Sequence, residues 1–251
     1  MSRAGAATAL LALSVTLVSC GGDDEGDGSS ALIVSAASSL EPAFTAYAER
    51  AGIEARQSFA GSDELAAQIR QGVTPDVYAA ANTTLPQELH ADGLVEKPVV
   101  FASNSLVLAV PAGSEIDSLD ALTGPGTTIA IGDPSVPIGT YTREVLDRLP
   151  NGEGDAILAN VRSQEPEVSG IVGKLTQGAV DAGFVYATDV TASEGELEAI
   201  ELPARLQPDV AYGASVVAGA EHPAEAQKFI DGLLDGAGAE ALKEAGFRPP
   251  P

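Results

Sequence analysis

The amino-acid sequence predicts an α/β fold of two lobes, with mainly parallel sheets and helices on both faces. From residue 31 onward, apolar runs of strand length alternate with segments whose apolar residues recur every three or four positions. This βαβ rhythm is typical of parallel sheets covered by helices. Two longer extended runs, FASNSLVLAVP (101–111) and VAYGASVVAGA (210–220), flank one such alternating set. Two strands that link two lobes account for this arrangement.

One lobe is predicted to consist of two separate chain segments, and the other lobe of the single segment between them. The first lobe is expected to contain residues 31–105 and 211–251, and the second lobe residues 106–210. In the 251-residue chain, an apolar fraction of 45% suffices for a sizeable core.

The first twenty residues predict an export signal. Arg3 provides a positive start, and residues 4–18 are uncharged and rich in alanine, leucine and valine. This run is too short to span a bilayer core, which needs about 20 residues. It ends in Leu17-Val18-Ser19-Cys20, which resembles the lipobox of bacterial lipoproteins. We predict a lipoprotein signal peptide at 1–19 and lipidation at Cys20, which would place the protein on the outer face of the cytoplasmic membrane. An ordinary secretory signal with a chance cysteine is the alternative.

Residues 20–30 are predicted to form a flexible acidic tether. The stretch GGDDEGDGSS contains no large apolar side chain, so nothing in it offsets the entropy of ordering. A calcium-binding loop is the alternative, but the acidic spacing does not match an EF-hand.

Composition argues against several classes of function. The chain has 13 Lys+Arg against 36 Asp+Glu, a formal net charge of −23, which makes nucleic acid a poor partner. One cysteine excludes a disulfide framework and a multi-thiolate zinc site. The two histidines, His90 and His222, are far apart in the sequence, which disfavours a histidine-built metal site.

The periodicity predicts the elements of the first lobe. Leu40, Phe44 and Tyr47 recur at helical spacing, and Ser38 with Glu41 resembles a capping box at the start of that helix. The predicted order is a strand at 31–36, a helix at 39–51, a strand at 53–59, a helix at 63–71 and a strand at 76–80.

The second lobe repeats the alternation, and a helical segment ends the chain. The predicted order is a strand in TTIAIGDP, a helix near 140–149, a strand near 157–162, a helix near 169–177, a strand in AGFVYA and a final helix over 224–246.

Small and hydroxylated residues stand at four of the predicted strand-to-helix junctions. They are Ser38 and Ser39, Gly61 and Ser62, Ile138 and Gly139 after Val136 and Pro137, and Val168 and Ser169. Helix N-termini attract anions through their free N–H groups and the helix dipole. None of these junctions contains lysine or arginine, so neutral donors would hold the anion. Tyr186, at the end of AGFVYA, would add a phenolic hydroxyl. Taken singly, each residue is more often a cap or a core residue; their coincidence favours a binding site.

Several stretches together resemble one family, the molybdate-binding receptors of bacterial ABC importers. They are VSAASSL, QSFAGSDELAAQI, PDVYAAA, FASNSLVLAVP, IAIGDPSVPIGTY, GFVYATD and the terminal AGFRPP. The resemblance extends from about residue 31 to the C-terminus. It implies a type II periplasmic-binding-protein fold, in which two α/β lobes close over a tetrahedral oxyanion held only by hydrogen bonds.

The resemblance also implies which residues bind. Its ligands fall on three hydroxyls and two backbone N–H groups, namely Ser39, Ser62, Tyr186, Ile138 and Val168. Four neighbouring residues are expected to support these ligands, namely Ser38, Gly61, Gly139 and Ser169. No protein atom would bind molybdenum directly.

Two positions depart from the family pattern. Asp63 follows Ser62 where the family commonly has Ser, Thr or Gly, and Ser38 replaces a usual alanine. An ionised carboxylate aimed at the ligand would oppose an anion, so Asp63 is expected to face solvent or to cap its own helix.

The implied function is capture of molybdate, and also of tungstate, for delivery to an ABC permease and its ATPase. Such a protein is not an enzyme and has no cofactor. A receptor for sulfate, phosphate or a small organic anion is the alternative within this class. A surface-anchored Ser/Asp hydrolase is a second alternative, but the sequence lacks a GxSxG elbow and a histidine at the junctions. A sensory or adhesive surface protein is a third.

Overall fold

The computed structural model describes Met1 and residues 31–251. Residues 2–30 lie outside the described residues, and with them nearly all of the predicted signal peptide, Cys20 and the acidic tether. Residues 31–251 form one unit. Within it, none of the helices combines the length and the apolar character that a membrane crossing requires.

The described residues form two five-stranded sheets. In chain order the strands are β1 (Leu32–Ala37), β2 (Ala55–Ala60), β3 (Val77–Ala80), β4 (Val99–Asn104), β5 (Leu106–Pro111), β6 (Ile129–Gly132), β7 (Val161–Glu165), β8 (Ala182–Tyr186), β9 (Leu197–Glu201) and β10 (Val210–Val216). The first sheet has the order β2-β1-β3-β10-β4, and the second has the order β7-β6-β8-β5-β9. This arrangement confirms the predicted two-lobed α/β fold. The lobe boundaries at 105/106 and 210/211 stay a prediction.

Both sheets are mixed rather than mainly parallel. Strands β1, β2 and β3 pair in parallel, as do β6, β7 and β8. In contrast, β10 runs antiparallel to β3 and β4, and β5 runs antiparallel to β8 and β9. Strand β5 follows β4 after the single residue Ser105, so the chain passes directly from one sheet into the other. Hydrophobic periodicity locates a strand but carries no information about its direction.

Helices cover the sheets. They are α1 (Glu41–Ala51), α2 (Ser62–Arg70), α3 (Thr84–Ala91), α4 (Pro137–Asp147), α5 (Glu153–Ala159), α6 (Val168–Thr176), α7 (Ala187–Ala192), α8 (Pro223–Leu234) and α9 (Ala237–Glu244). Elements α3, α5, α7 and β9 have no counterpart among the predicted elements. The final helical segment is divided in two at Gly236, whose φ of +94° favours glycine.

Two local predictions are wrong. The strand predicted near 157–162 is the end of α5 followed by β7, because Ile157 reaches the core from a helix and a short apolar run fits either structure. The capping box of Ser38 and Glu41 does not form. Residues Ser38–Leu40 make a 3-10 turn, and α1 begins after Leu40 with no side-chain cap.

The two chain segments that pass between the lobes are tied together. Leu106 N–H donates to Gln207 Oε1 at 3.2 Å, and Gln207 Nε2 donates back to the Leu106 carbonyl at 2.9 Å. Arg148 donates from one guanidinium nitrogen to the carbonyls of Leu206 and Gln207 at 3.1 and 3.2 Å. These bonds hold the two linking segments side by side.

Candidate functional site

The four strand-to-helix junctions meet at one small cavity. Most of the residues singled out in the sequence line it, and they are Ser38, Ser39, Gly61, Ser62, Ile138, Val168 and Tyr186. The rest of the lining consists of Ala37, Ala60, Ala81, Val136, Pro137, Pro166 and Glu167. The first sheet contributes the ends of β1, β2 and β3, and the second contributes the junctions after β6, β7 and β8. The geometry therefore brings the predicted ligands together, whereas their role as ligands stays a prediction.

The cavity is small. Its volume is about 20 Å³, whereas a single water needs roughly 10–15 Å³ by the same measure. A space of this size suits a compact ligand better than a sugar phosphate or a peptide.

Ser62 is held so that its hydroxyl proton is free to point into the cavity. It is the first residue of α2 and is 2% exposed. Its Oγ accepts a hydrogen bond from the Ala81 N–H at 3.1 Å, and its carbonyl accepts one from the Tyr78 hydroxyl at 2.7 Å. Since a backbone N–H can only donate, the Ser62 hydroxyl receives this bond and can donate its own proton to a ligand.

Backbone donors come from the first turns of two helices of the second lobe. Ile138 follows Pro137 at the start of α4, and Val168 opens α6. N–H groups in a first turn have no carbonyl partner within their helix, and they carry the positive end of the helix dipole. Helix α2 of the first lobe presents its own N-terminus to the same cavity. Three helix dipoles therefore point at one space.

Gly139 supports the site without lining it. A methyl group at Gly139 would overlap the carbonyl oxygen of Asp133, and one at Gly132 would lie 2.5 Å from the Gly139 nitrogen. The two glycines thus let the first turn of α4 lie against the end of β6, which places Ile138. Ser169 points elsewhere and lines a separate groove near Asp189.

Tyr186 carries a buried hydroxyl that has no partner among the described residues. It ends β8 and is 1% exposed, and it lines the cavity. Burial raises the pKa of Tyr186 well above its ordinary value, so the hydroxyl stays protonated and is a donor. A buried polar group without a partner costs about 1–3 kcal/mol, which a bound acceptor would recover.

A carboxyl group lies just behind this tyrosine. The Tyr186 N–H donates to Asp189 Oδ2 at 2.8 Å. Burial raises the pKa of Asp189 to about 7 despite that hydrogen bond.

The lining contains an acidic residue, Glu167, that the sequence pattern did not indicate as a site residue. Glu167 precedes α6, and its buried Oε2 has no hydrogen-bond partner within the described part of the chain. An acid at a helix start ordinarily complements the helix dipole, so its sequence position gave no signal of a site. No lysine or arginine is among the lining residues. Any anion bound here would be held by neutral donors.

Asp63 is half-buried and does not cap its own helix. Gly61, not Asp63, is the N-cap of α2, and no side chain caps that helix. Asp63 Oδ1 is buried without a partner among the described residues, and Oδ2 lies 3.5 Å from Ser135 Oγ of the second lobe. Ser135 Oγ is closer to Asp133 Oδ1, at 3.0 Å, so its single proton is directed there. The carboxylates of Asp63 and Asp133 thus both lie near Ser135 Oγ.

Substitution Asp63→Asn is expected to tighten the binding of an anion about two- to tenfold. The change removes a negative charge where the lobes meet, so it lowers repulsion both between the lobes and toward the ligand. Isothermal titration calorimetry at two salt concentrations measures this effect, which should shrink at high salt because screening weakens the repulsion. Weaker binding by the Asp63→Asn variant would show that the carboxylate assists closure.

Comparison with known proteins gives concordant results. The pattern of the bacterial extracellular solute-binding proteins matches residues 32–248. The molybdate-binding protein ModA of Mycobacterium tuberculosis is 32% identical over 93% of this chain and 93% of its own length. Among solved structures, the periplasmic molybdate-binding protein of Azotobacter vinelandii has a TM-score of 0.78 at 24% identity and covers 88% of this chain and 100% of that chain. The sulfate-binding protein SubI of Mycobacterium tuberculosis also has a TM-score of 0.78, at 18% identity, covering 87% and 86%. These neighbours confirm the type II periplasmic-binding-protein fold.

Proposed function

This chain belongs to the bacterial extracellular solute-binding protein family, and on that premise we propose that it captures molybdate between its two lobes by hydrogen bonds from neutral donors. One observation carries the proposal. The cavity is lined by donors from both lobes, among them the Tyr186 hydroxyl, which is buried and has no acceptor among the described residues. The relative from Mycobacterium tuberculosis, similar over nearly its whole length, supports molybdate as the anion.

The proposed chemistry follows from the donor set. Ser39, Ser62 and Tyr186 would donate from hydroxyls, and Ile138 and Val168 would donate from backbone N–H groups. A tetrahedral oxyanion presents four acceptor oxygens in diverging directions, which suits donors that converge from several sides. Fixed dipoles at helix N-termini stabilise such a charge without a flexible cation that must itself lose water. The proposed binding step makes and breaks no covalent bond and needs no cofactor. The proposed function is therefore binding and not catalysis.

The biological role is proposed on the same basis. Tungstate has the same shape and charge as molybdate, so we propose that it binds as well. Closure of the lobes around the anion would create the form that docks on an ABC permease. The ATPase of the transporter would drive that permease. A lipid anchor at Cys20 would keep the receptor at the outer face of the cytoplasmic membrane. Nucleic acid has no part in this proposal.

Calorimetry on the full chain with molybdate, tungstate, sulfate and phosphate tests the function. Molybdate and tungstate are expected to bind at least about 100-fold more tightly than sulfate. All these anions present four oxygens, and a smaller ion would leave the donors of a rigid closed cavity at longer distances. Sulfate binding as tight as molybdate binding would overturn the assignment.

One observation favours hydrogen phosphate as a second candidate. The buried Glu167 Oε2 has no donor among the described residues, and it lines the cavity. A carboxylate is an acceptor, so it would suit a proton on a protonated oxyanion but would repel a fully ionised one. Tight phosphate binding that is lost in a Glu167→Gln variant would support this candidate in place of molybdate.

A further inference from the structure

A chain of hydrogen bonds connects Ser105, the single residue between β4 and β5, to Ser39. Asn104 is the last residue of β4, and its Oδ1 accepts from the Ser105 N–H at 2.8 Å. This bond orients the amide so that Nδ2 donates to Thr188 Oγ1 at 2.9 Å and to Tyr212 Oη at 3.4 Å. Tyr212 Oη in turn lies 3.1 Å from Ser39 Oγ, where either oxygen can be the donor.

The amide fixes the direction of the next bond. An amide nitrogen can only donate, so Tyr212 Oη is an acceptor toward Asn104. Tyr212 is completely buried, and among the described residues Asn104 and Ser39 are the two hydrogen-bond partners of its hydroxyl. If Ser39 donated to Tyr212, the phenolic proton would be buried with no acceptor, an arrangement that folded proteins avoid. The favoured arrangement has Tyr212 donating to Ser39.

We propose that Tyr212, oriented by Asn104, is a positioning residue that turns the Ser39 hydroxyl into a committed donor toward the cavity. Once Ser39 Oγ accepts from Tyr212, its own proton has the ligand as its acceptor. Burial raises the pKa of Tyr212, which keeps this tyrosine protonated across the physiological range. This inference rests on the proposed function, since it assigns how one proposed ligand residue is prepared for an anion.

Ser62 supports the inference by analogy within the same site. Its Oγ accepts from the Ala81 N–H, so a donor that cannot reverse prepares this serine as well. Both serines of the first lobe thus receive a hydrogen bond from the protein and present a proton to the cavity. The site is thereby biased toward ligands whose oxygens are all acceptors, which is the chemical class of a fully ionised oxyanion.

A double-mutant cycle on the full chain tests the role of Tyr212. Calorimetry with molybdate compares the wild type, Tyr212→Phe, Ser39→Ala and the double variant. We expect Tyr212→Phe alone to raise Kd about three- to tenfold, because Ser39 loses the bond that orients and polarises it. In the Ser39→Ala background the same change should leave Kd within about twofold, since the residue through which Tyr212 acts is absent.

Tyr47→Phe is the matched control. Tyr47 is also buried, it packs against Phe229 with ring centroids 4.8 Å apart, and its hydroxyl donates to the Phe229 carbonyl at 3.2 Å. It lies outside the cavity lining. We expect this variant to lose thermal stability much as Tyr212→Phe does while its Kd stays unchanged.

The outcomes separate the inference from the proposed function. A wild type that binds none of the oxyanions overturns the proposed function and the inference with it. A wild type that binds molybdate, with a Tyr212→Phe effect that persists in the Ser39→Ala background or equals that of Tyr47→Phe, overturns the inference alone. Should Tyr212→Phe fail to fold, Asn104→Ala takes its place in the cycle with the same expectation.

Discussion

Gly61→Ala is expected to raise the Kd for molybdate at least about 100-fold while leaving the unliganded protein about as stable as the wild type. Gly61 has φ −59° and ψ 134°, which alanine adopts without strain. Its added methyl carbon would lie 2.6 Å from the carbonyl oxygen of Pro166, which belongs to the opposite lobe, and 3.0 Å from Asp63 Oδ1. The carboxylate can rotate away, but the carbonyl can yield only if the lobes separate.

The magnitude follows from the number of bonds that closure makes. If the lobes stay a few tenths of an ångström apart, the donors of the second lobe no longer reach a ligand seated on Ser39 and Ser62. Loss of two such bonds at about 1.4 kcal/mol each corresponds to a factor of about 100. We therefore expect the absence of a side chain at Gly61 to be what lets the two lobes approach each other at the cavity.

Two measurements check this prediction. Calorimetry gives Kd, and small-angle scattering with and without molybdate reports closure, which the Gly61→Ala variant should fail to complete. The control is Gly173→Ala in α6, where the added methyl would have only an ordinary contact, at 3.8 Å from Gln177 Nε2. That variant should bind as the wild type does. Normal affinity in Gly61→Ala would mean that ligand binding does not require the lobes to approach this closely.

The candidate site was largely predictable because its parts are local. Each junction combines the end of a strand, the start of a helix and a small residue, and all three features are visible within about ten residues of sequence. Ser39, Ser62, Ile138, Val168 and Tyr186 each occupy such a junction, and the fold brings them to one cavity. Parallel α/β topology has this effect because it aligns the carboxyl ends of its strands.

The parts that were not predictable depend on distant residues. Tyr212 reaches Ser39 from β10, which is inserted into the first sheet late in the chain. In the sequence it is one aromatic residue in an apolar run, with no local sign of a polar contact. The sequence pattern could not predict the direction of β5 and β10 for a related reason. Strand direction depends on contacts between segments that are distant in the sequence, and not on the residues of one strand alone. Asp63 shows the same limit, because its environment is created by the approach of Ser135 from the other lobe.

The acidity of the chain makes local dipoles more important for the binding of an anion. A formal net charge of −23 repels an anion at long range, and none of the described residues that line the cavity is a lysine or an arginine. Binding must therefore arise from short hydrogen bonds that form only when the anion is enclosed. A donor that has no partner in the unliganded protein contributes most to the affinity. The cost of removing water from that donor is already part of the free energy of the unliganded protein, so it is not added when the anion binds.

Tyr186 is the proposed donor of this kind, and Tyr186→Phe is expected to weaken molybdate binding without lowering the stability of the unliganded protein. The Kd for molybdate should rise roughly 10- to 100-fold, because a hydrogen bond to a charged oxygen, worth about 1.5–3 kcal/mol, is lost. The unliganded protein should keep its melting temperature or gain a few degrees. The phenylalanine fills the same space, and the buried hydroxyl without a partner is removed.

Tyr47→Phe supplies the contrasting pair for this measurement. Its hydroxyl is satisfied by the Phe229 carbonyl, so its removal should lower the melting temperature and leave Kd unchanged. Thermal unfolding without ligand and calorimetry with molybdate, carried out on both variants, compare two melting temperatures and two values of Kd with these expectations. A Tyr186→Phe protein that melts earlier and binds molybdate normally would show that this hydroxyl serves the fold. In that case the donors for the anion would have to be sought among the serines and the helix N-termini alone.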